Sequence, residues 1–172
     1  MPFIDVPDGD GSNMEQLFEL RPEAFAAWQQ LVTAVKATSD NRRYELATLA
    51  AARKLRSSYC TLAHGKVLAE RFYDFDSVAA LPDGLDDADR AIMAFAEQVV
   101  ADATAITQED VDKLRGHGLS DDEIFDVVLA ATIRCFFSKT LDALGVQPDA
   151  EFAELDPSFR EPLTVGRPIE SA

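Results

Sequence analysis

Apolar side chains recur at steps of three and four over most of this chain, the spacing of helices that turn one face to a core. From Pro22 to Lys36 the series is Phe25, Trp28, Leu31, Val32 and Val35, with Pro22 suited to a first helical turn. Ser39, Asp40 and Asn41 offer capping oxygens to a second helix, roughly Arg42 to Leu55, with Leu46, Leu49 and Ala50 inward. A third is predicted from about Ser58 to Phe72, and the turn signal Leu81-Pro82-Asp83-Gly84 marks the clearest internal break. Beyond it, Asp86 to Ala103 carries Ile92, Phe95, Ala96, Val99 and Val100 on one face, and its acidic first turn complements the helix dipole. Thr107 to Gly116 reads as a short capped helix. Ser120-Asp121-Asp122-Glu123 has the capping-box form and opens the longest apolar stretch, Ile124 to Leu144, closed by Gly145 and then Pro148.

Val127, Val128, Leu129 and Ile133 are strand formers, but they lie in a continuous capped run far longer than a strand of about 4 to 8 residues. The predicted fold class is therefore all-α: one helical bundle, 1–172, of about six to seven helices. Pro148, Pro157, Pro162 and Pro168 predict an irregular tail over 149–172 that wraps the surface or a neighbouring subunit. No internal repeat is present.

Composition narrows the class of protein without naming a task. The chain has 172 residues, 47% apolar and 27% charged, enough for a packed core and unlike a disordered or fibrous sequence. Its net charge of −15 argues against a nucleic-acid or anionic-membrane partner held by general attraction. The first residues are acidic and proline-containing rather than basic and then apolar, and no 18-residue apolar window occurs, so neither an export signal nor a membrane span is expected. Two cysteines cannot build a disulfide scaffold, which suits a reducing compartment and a cytoplasmic location. A four-ligand zinc site would have to use Cys60, Cys135, His64 and His117, whose spacing is wrong for it. Helix-start charge explains Asp86-Asp87 and Asp121-Asp122-Glu123, so no metal and no cofactor is expected.

The segment Ser57-Ser58-Tyr59-Cys60-Thr61-Leu62-Ala63-His64 carries the candidate chemistry. A helix starting near Ser58 puts Cys60 in its first turn, where free amides and the dipole favour a thiolate, and His64 one turn later on the same face. Arg53, Lys54 and Arg56 place positive charge just upstream. From residue types alone two readings stay open, because a free cysteine on an amphipathic helix is as a rule a small buried hydrophobe and an i, i+4 histidine can simply pack. Cys135 is read as core and His117 as a helix-end residue. Phe72, Tyr73, Phe75, Phe136 and Phe137 are read as buried or as part of a subunit interface.

Tyr44-Glu45-Leu46-Ala47-Thr48-Leu49-Ala50 together with Ser57 through Gly65 resembles the carboxymuconolactone decarboxylase and alkylhydroperoxidase D superfamily. The pattern there is a glutamate, twelve residues on a Cys-x-x-Cys pair, and a histidine four after the second cysteine. Glu45 stands twelve before position 57, and Cys60 four before His64. Ile106 through Arg115, Gly118 through Ile124 and Ala143 through Val146 are similar to the peroxidase-related branch, so the likeness spans about Pro22 to Pro148. The resemblance implies the alkylhydroperoxidase D-like bundle, a homo-oligomer (trimer or hexamer), and a thiol peroxidase acting on organic hydroperoxides. It makes Cys60 the attacking thiol and puts Glu45 and His64 in its proton relay, with Ser57 and Tyr59 supporting. The departure is Ser57, which stands where redox-active members have their first cysteine. An intramotif disulfide cannot form, so a small thiol or a thioredoxin-like protein would have to resolve the sulfenic acid. Ser57 itself is a candidate hydrogen-bond donor to the thiolate. A non-redox lactone decarboxylase-like enzyme and a non-catalytic oligomeric member remain as alternatives.

Overall fold

Capping side chains open helices where the sequence places them in the computed structural model, which describes residues 2–7 and 9–171. The order is α1 (Asn13–Phe18), α2 (Pro22–Lys36), α3 (Asn41–Lys54), α4 (Ser58–Arg71), α5 (Phe75–Ala79), α6 (Asp87–Asp102), α7 (Gln108–Gly116), α8 (Asp121–Ala143) and α9 (Pro157–Leu163). Short 3-10 turns lie at Ala103–Ala105 and Ala150–Glu154, and no strand occurs among the described residues. Asp40, Asp86 and Ser120 each accept an amide of the first turn that would otherwise lack a partner, and Glu123 returns the favour to Ser120 as a capping box. Gly145 ends α8 at φ +80, a left-handed conformation, and the Phe3 ring packs where a Cβ would be.

The core forms where α3 runs between α6 and α8. Every residue of α3 from Tyr44 to Ala52 is buried. Its alanines at 47, 50 and 51 have no exposed area, which lets neighbouring helices approach closely while Leu46 and Leu49 fill the gaps. Ile92 and Ala96 of α6 and Ala130 and Ala131 of α8 close the layer. Burying a Leu or Ile in this way contributes about 1.5–3 kcal/mol per side chain. A helix buried on all faces must partner any charge it carries, and Glu45 is such a charge.

Several sequence expectations are corrected. Of the five apolar residues read as the inner face of α2, only Val35 is buried, and Leu31 is 48% exposed, because α2 packs over the core edge through Phe25, Trp28 and Val32. The tail is not irregular throughout. Pro157 occupies the first turn of α9, where its missing N–H costs nothing, and Asp156 caps it. Phe159 and Leu163 of α9 are buried against α4, with Leu163 so close to Gly65 that a Cβ there would lie 2.6 Å from Cδ1. Helices α1 and α5 are additions, and Cys135 is half-buried rather than core. No helix among the described residues is long and apolar enough to cross a membrane.

Candidate functional site

Local backbone at the α3–α4 junction sets the candidate thiol in place. Arg56 holds φ 57, an unfavourable left-handed conformation for a side-chain-bearing residue, and Gly166 of the tail presses on its carbonyl so closely that a Cβ would fall 1.9 Å from that oxygen. The chain then enters α4, whose third residue is Cys60, 1% exposed. Free amides of this first turn point toward the sulfur's end of the helix.

The cation near the sulfur comes from elsewhere than the sequence suggested. Arg53 donates to the Leu81 carbonyl, Arg56 to the Val165 carbonyl, and Lys54 is exposed. Arg134 of α8 supplies it instead: one guanidinium nitrogen lies 3.2 Å from Cys60 Sγ. Arg134 is 3% exposed, its Cζ lies 5.2 Å from the centre of the Phe137 ring, and its Nε has no hydrogen-bond partner. No carboxylate among the described residues forms a salt bridge with it. The guanidinium is thus a buried hydrogen-bond donor to the sulfur, with no carboxylate salt bridge among the described residues to engage it.

Beside this pair stands a three-residue proton system. Glu45 accepts from Lys36 Nζ at 2.6 Å through one oxygen and lies 2.6 Å from His64 Nδ1 through the other. Burial alone would push its carboxyl up, but His64 and Lys36 outweigh that and hold it at about 2. The ionised carboxylate makes Nδ1 the donor, leaving Nε2 of a neutral imidazole free to accept. Burial first, and then the field of Arg134, keep His64 below its ordinary value despite Glu45. His64 retains 19% exposure, in the same cavity as Cys60.

That cavity has a volume of about 400 Å³, within the small-molecule range. Cys60, His64, Arg134 and Tyr44 form its polar end, and Phe25, Trp28, Val32, Ala63 and Phe137 its apolar wall. Trp28 stacks on Phe137 at 4.2 Å and 20°, so packed aromatic rings make up this wall. Ser12, Met14, Asp149, Glu151 and Phe152, from α1 and the tail, complete the rim.

Glu45, Cys60 and His64 are thus brought to one place, while the hydroxyls of the supporting pair turn to other partners. Tyr59 lines the cavity, but its hydroxyl donates to Asp149 Oδ2 at 2.6 Å, and burial together with that carboxylate pushes its ionisation far up. Ser57 is fully buried, and its hydroxyl makes no well-formed hydrogen bond. It leans toward Asp142, whose carboxyl burial raises and Ser57 partly holds down, and does not bond Cys60. His117 caps the end of α7, and Cys135 does not line the cavity. Lys36 and Arg134 are the residues that sequence reasoning missed. Arg134 had a readable signal, since it falls in helical register with the buried Ala130, Phe137, Ser138 and Leu141, where an arginine is out of place unless it has work there. No group of three His, Cys, Asp or Glu side chains among the described residues is placed to hold a metal.

The bundle is the alkylhydroperoxidase D-like helical fold, with the peroxidase-related proteins as its structural neighbours. It superposes on an alkylhydroperoxidase AhpD core, a peroxidase-related protein of Ralstonia eutropha JMP134, with a TM-score of 0.75 at 22% identity, covering 88% of this chain and 94% of that one. A putative antioxidant defence protein of the AhpD type from Agrobacterium tumefaciens matches with a TM-score of 0.70 at 20% identity, over 77% and 94%. A debrominase, crystallised as a Cys-to-Ala variant with 2,3,4-tribromopyrrole, matches with a TM-score of 0.71 at 16% identity, over 87% and 81%. No family model and no curated protein sequence matches the chain.

Proposed function

We propose that this protein is a one-cysteine thiol peroxidase that reduces organic hydroperoxides through Cys60. The observation that carries the reading is Cys60 Sγ at 3.2 Å from a buried guanidinium that has no carboxylate of its own, in the wall of a cavity also lined by His64. His64 Nε2 takes the thiol proton, with Glu45 holding the ring by Nδ1 and Lys36 holding Glu45. The thiolate attacks the distal peroxide oxygen. An S–O bond forms, the O–O bond breaks, and the departing alkoxide receives the proton back from His64. Sulfur loses two electrons and the peroxide gains them, leaving Cys60 sulfenic acid and an alcohol.

The aromatic wall of Phe25, Trp28 and Phe137 favours an aromatic hydroperoxide over hydrogen peroxide, and the halogenated ring bound by the debrominase neighbour is consistent with such a pocket. Stopped-flow reduction of cumene hydroperoxide with dimedone trapping of the sulfenic acid tests the reading. Cys60→Ser is expected to fall to the uncatalysed background, and an undiminished rate would overturn it. A non-redox enzyme of the decarboxylase type is the second reading, favoured by one feature: the Lys36–Glu45–His64 system is complete without sulfur. It requires turnover of a cyclic carboxylate after both thiols are blocked.

A further inference from the structure

The sulfenic acid must be resolved by a thiol that this chain does not supply, and the site's surroundings discriminate between possible donors. Position 57, one turn before Cys60, is a serine. Cys135 follows Arg134 directly on α8, and one step along a helix turns a side chain by about 100°, so with Arg134 facing the sulfur Cys135 faces away. Cys60 is 1% exposed and lines the cavity, whose rim is built from α1 and the tail.

We infer that the reductant is a low-molecular-weight thiol that enters this cavity, and not a thioredoxin-like protein; the inference rests on the one-cysteine reading. A mixed disulfide brings the two Cβ atoms to about 3.8 Å and the two Cα atoms to about 5.5–6 Å. A protein partner would therefore have to carry its backbone past the rim into about 400 Å³ of space already walled by Trp28 and Phe137. A small thiol needs no such entry. Arg134, Tyr44 and His64 line the cavity beside Cys60, so its interior is polar enough to admit the polar end of a small molecule.

The chemistry closes on the same residues. The first small thiolate attacks Cys60 sulfenic acid, forming an S–S bond and releasing hydroxide, which is protonated to water. A second attacks the outer sulfur of that mixed disulfide, so that the small symmetrical disulfide leaves and Cys60 departs as thiolate. Arg134, 3.2 Å from Cys60 Sγ, stabilises that departing charge and so directs the second attack to the outer sulfur.

The test uses the full chain carrying Cys135→Ser and no peroxide. Cys60 is loaded with methyl methanethiosulfonate, verified by intact mass, and then released by 2-mercaptoethanol, by cysteine, or by thioredoxin kept reduced by its reductase. A free peptide of residues 57–65 bearing the same mixed disulfide is the unprotected reference. Relative to the peptide, the folded protein is expected to slow the small thiols less than about 10-fold and thioredoxin about 100-fold or more, since access sets these rates. Thioredoxin slowed no more than the small thiols would overturn the inference, as would failure of the thiosulfonate to load Cys60 in the folded state. Failure of sulfenic acid trapping with hydroperoxide would remove the peroxidase reading and leave this measurement standing.

Discussion

Arg42 and Arg134 both send a guanidinium into the protein, and what meets each is different. Arg42 of α3 pairs with the buried carboxylate of Asp89 on α6 and donates to Tyr73 at 2.9 Å. Arg134 of α8 meets a sulfur and an aromatic face and leaves its Nε unbonded. The first is a closed ion pair that ties α3 to α6. The second is an open one, a cation held in a cavity wall without the carboxylate that would neutralise it. Charge paired with a carboxylate across two helices serves the fold, and charge left for an incoming or ionising group serves chemistry.

The largest break in that contrast is Arg42→Ala, which strands the Asp89 carboxylate in the interior with its Oδ1 already unbonded. Urea unfolding is expected to show a loss of about 3–5 kcal/mol. Hydroperoxide turnover per folded molecule should stay unchanged. Arg134→Met should do the reverse, keeping stability within about 1 kcal/mol because an uncompensated buried cation is replaced by an apolar chain of similar length. Alkylation of Cys60 and peroxide turnover at pH 7 should each fall about 10- to 100-fold, the worth of one hydrogen bond to a charged group. A large stability loss with unchanged reactivity would make Arg134 a second Arg42.

Glu45 sharpens the comparison on the acid side. Its folded value of about 2 lies below the ordinary 4.5, so its contribution is full above about pH 4.5 and is lost as pH falls through about 2. That contribution is about 3 kcal/mol. Glu45→Gln should be less stable at neutral pH and show a shallower fall in stability across that window, read by urea titrations at several pH values. The smallest effect is expected for Tyr59→Phe, which removes the bond to Asp149 while Asp149 keeps the Asn13 amide. About 1 kcal/mol of stability should go. Peroxide turnover should hold, since the phenol faces the rim and not the Glu45–His64 pair. A drop of tenfold or more would return Tyr59 to the relay.

Helix register and caps were legible because they depend on neighbours within one turn. Asp40, Asp86 and Ser120 cap the helices they precede, and the Cys60–His64 spacing places both on one face of α4. The tail was misread because its prolines are equally compatible with a loop and with the first turn of α9, and only burial of Phe159 and Leu163 against α4 decides between them. The family resemblance implies supporting roles for Ser57 and Tyr59 beside the thiol. In the fold, Ser57 sits at the N-cap outside α4 and leans on Asp142, while Tyr59, one step before Cys60 and turned about 100° from it, donates to Asp149.

By itself the sequence determined the all-helical class, the limits of α2, α3, α4, α6, α7 and α8 within a turn, and the thiol, imidazole and carboxylate worth asking about. Such features follow from short-range spacing, capping chemistry and residue type. Tertiary structure alone decided which cation reaches the sulfur. Residues 53, 54 and 56 are near Cys60 in the chain, yet Arg134 arrives from 74 positions away. Local periodicity tells which face of a helix is buried, but the partner across that face is set by how α3, α4 and α8 pack, and a charge acts on whatever lies within a few ångströms, whatever its distance along the chain.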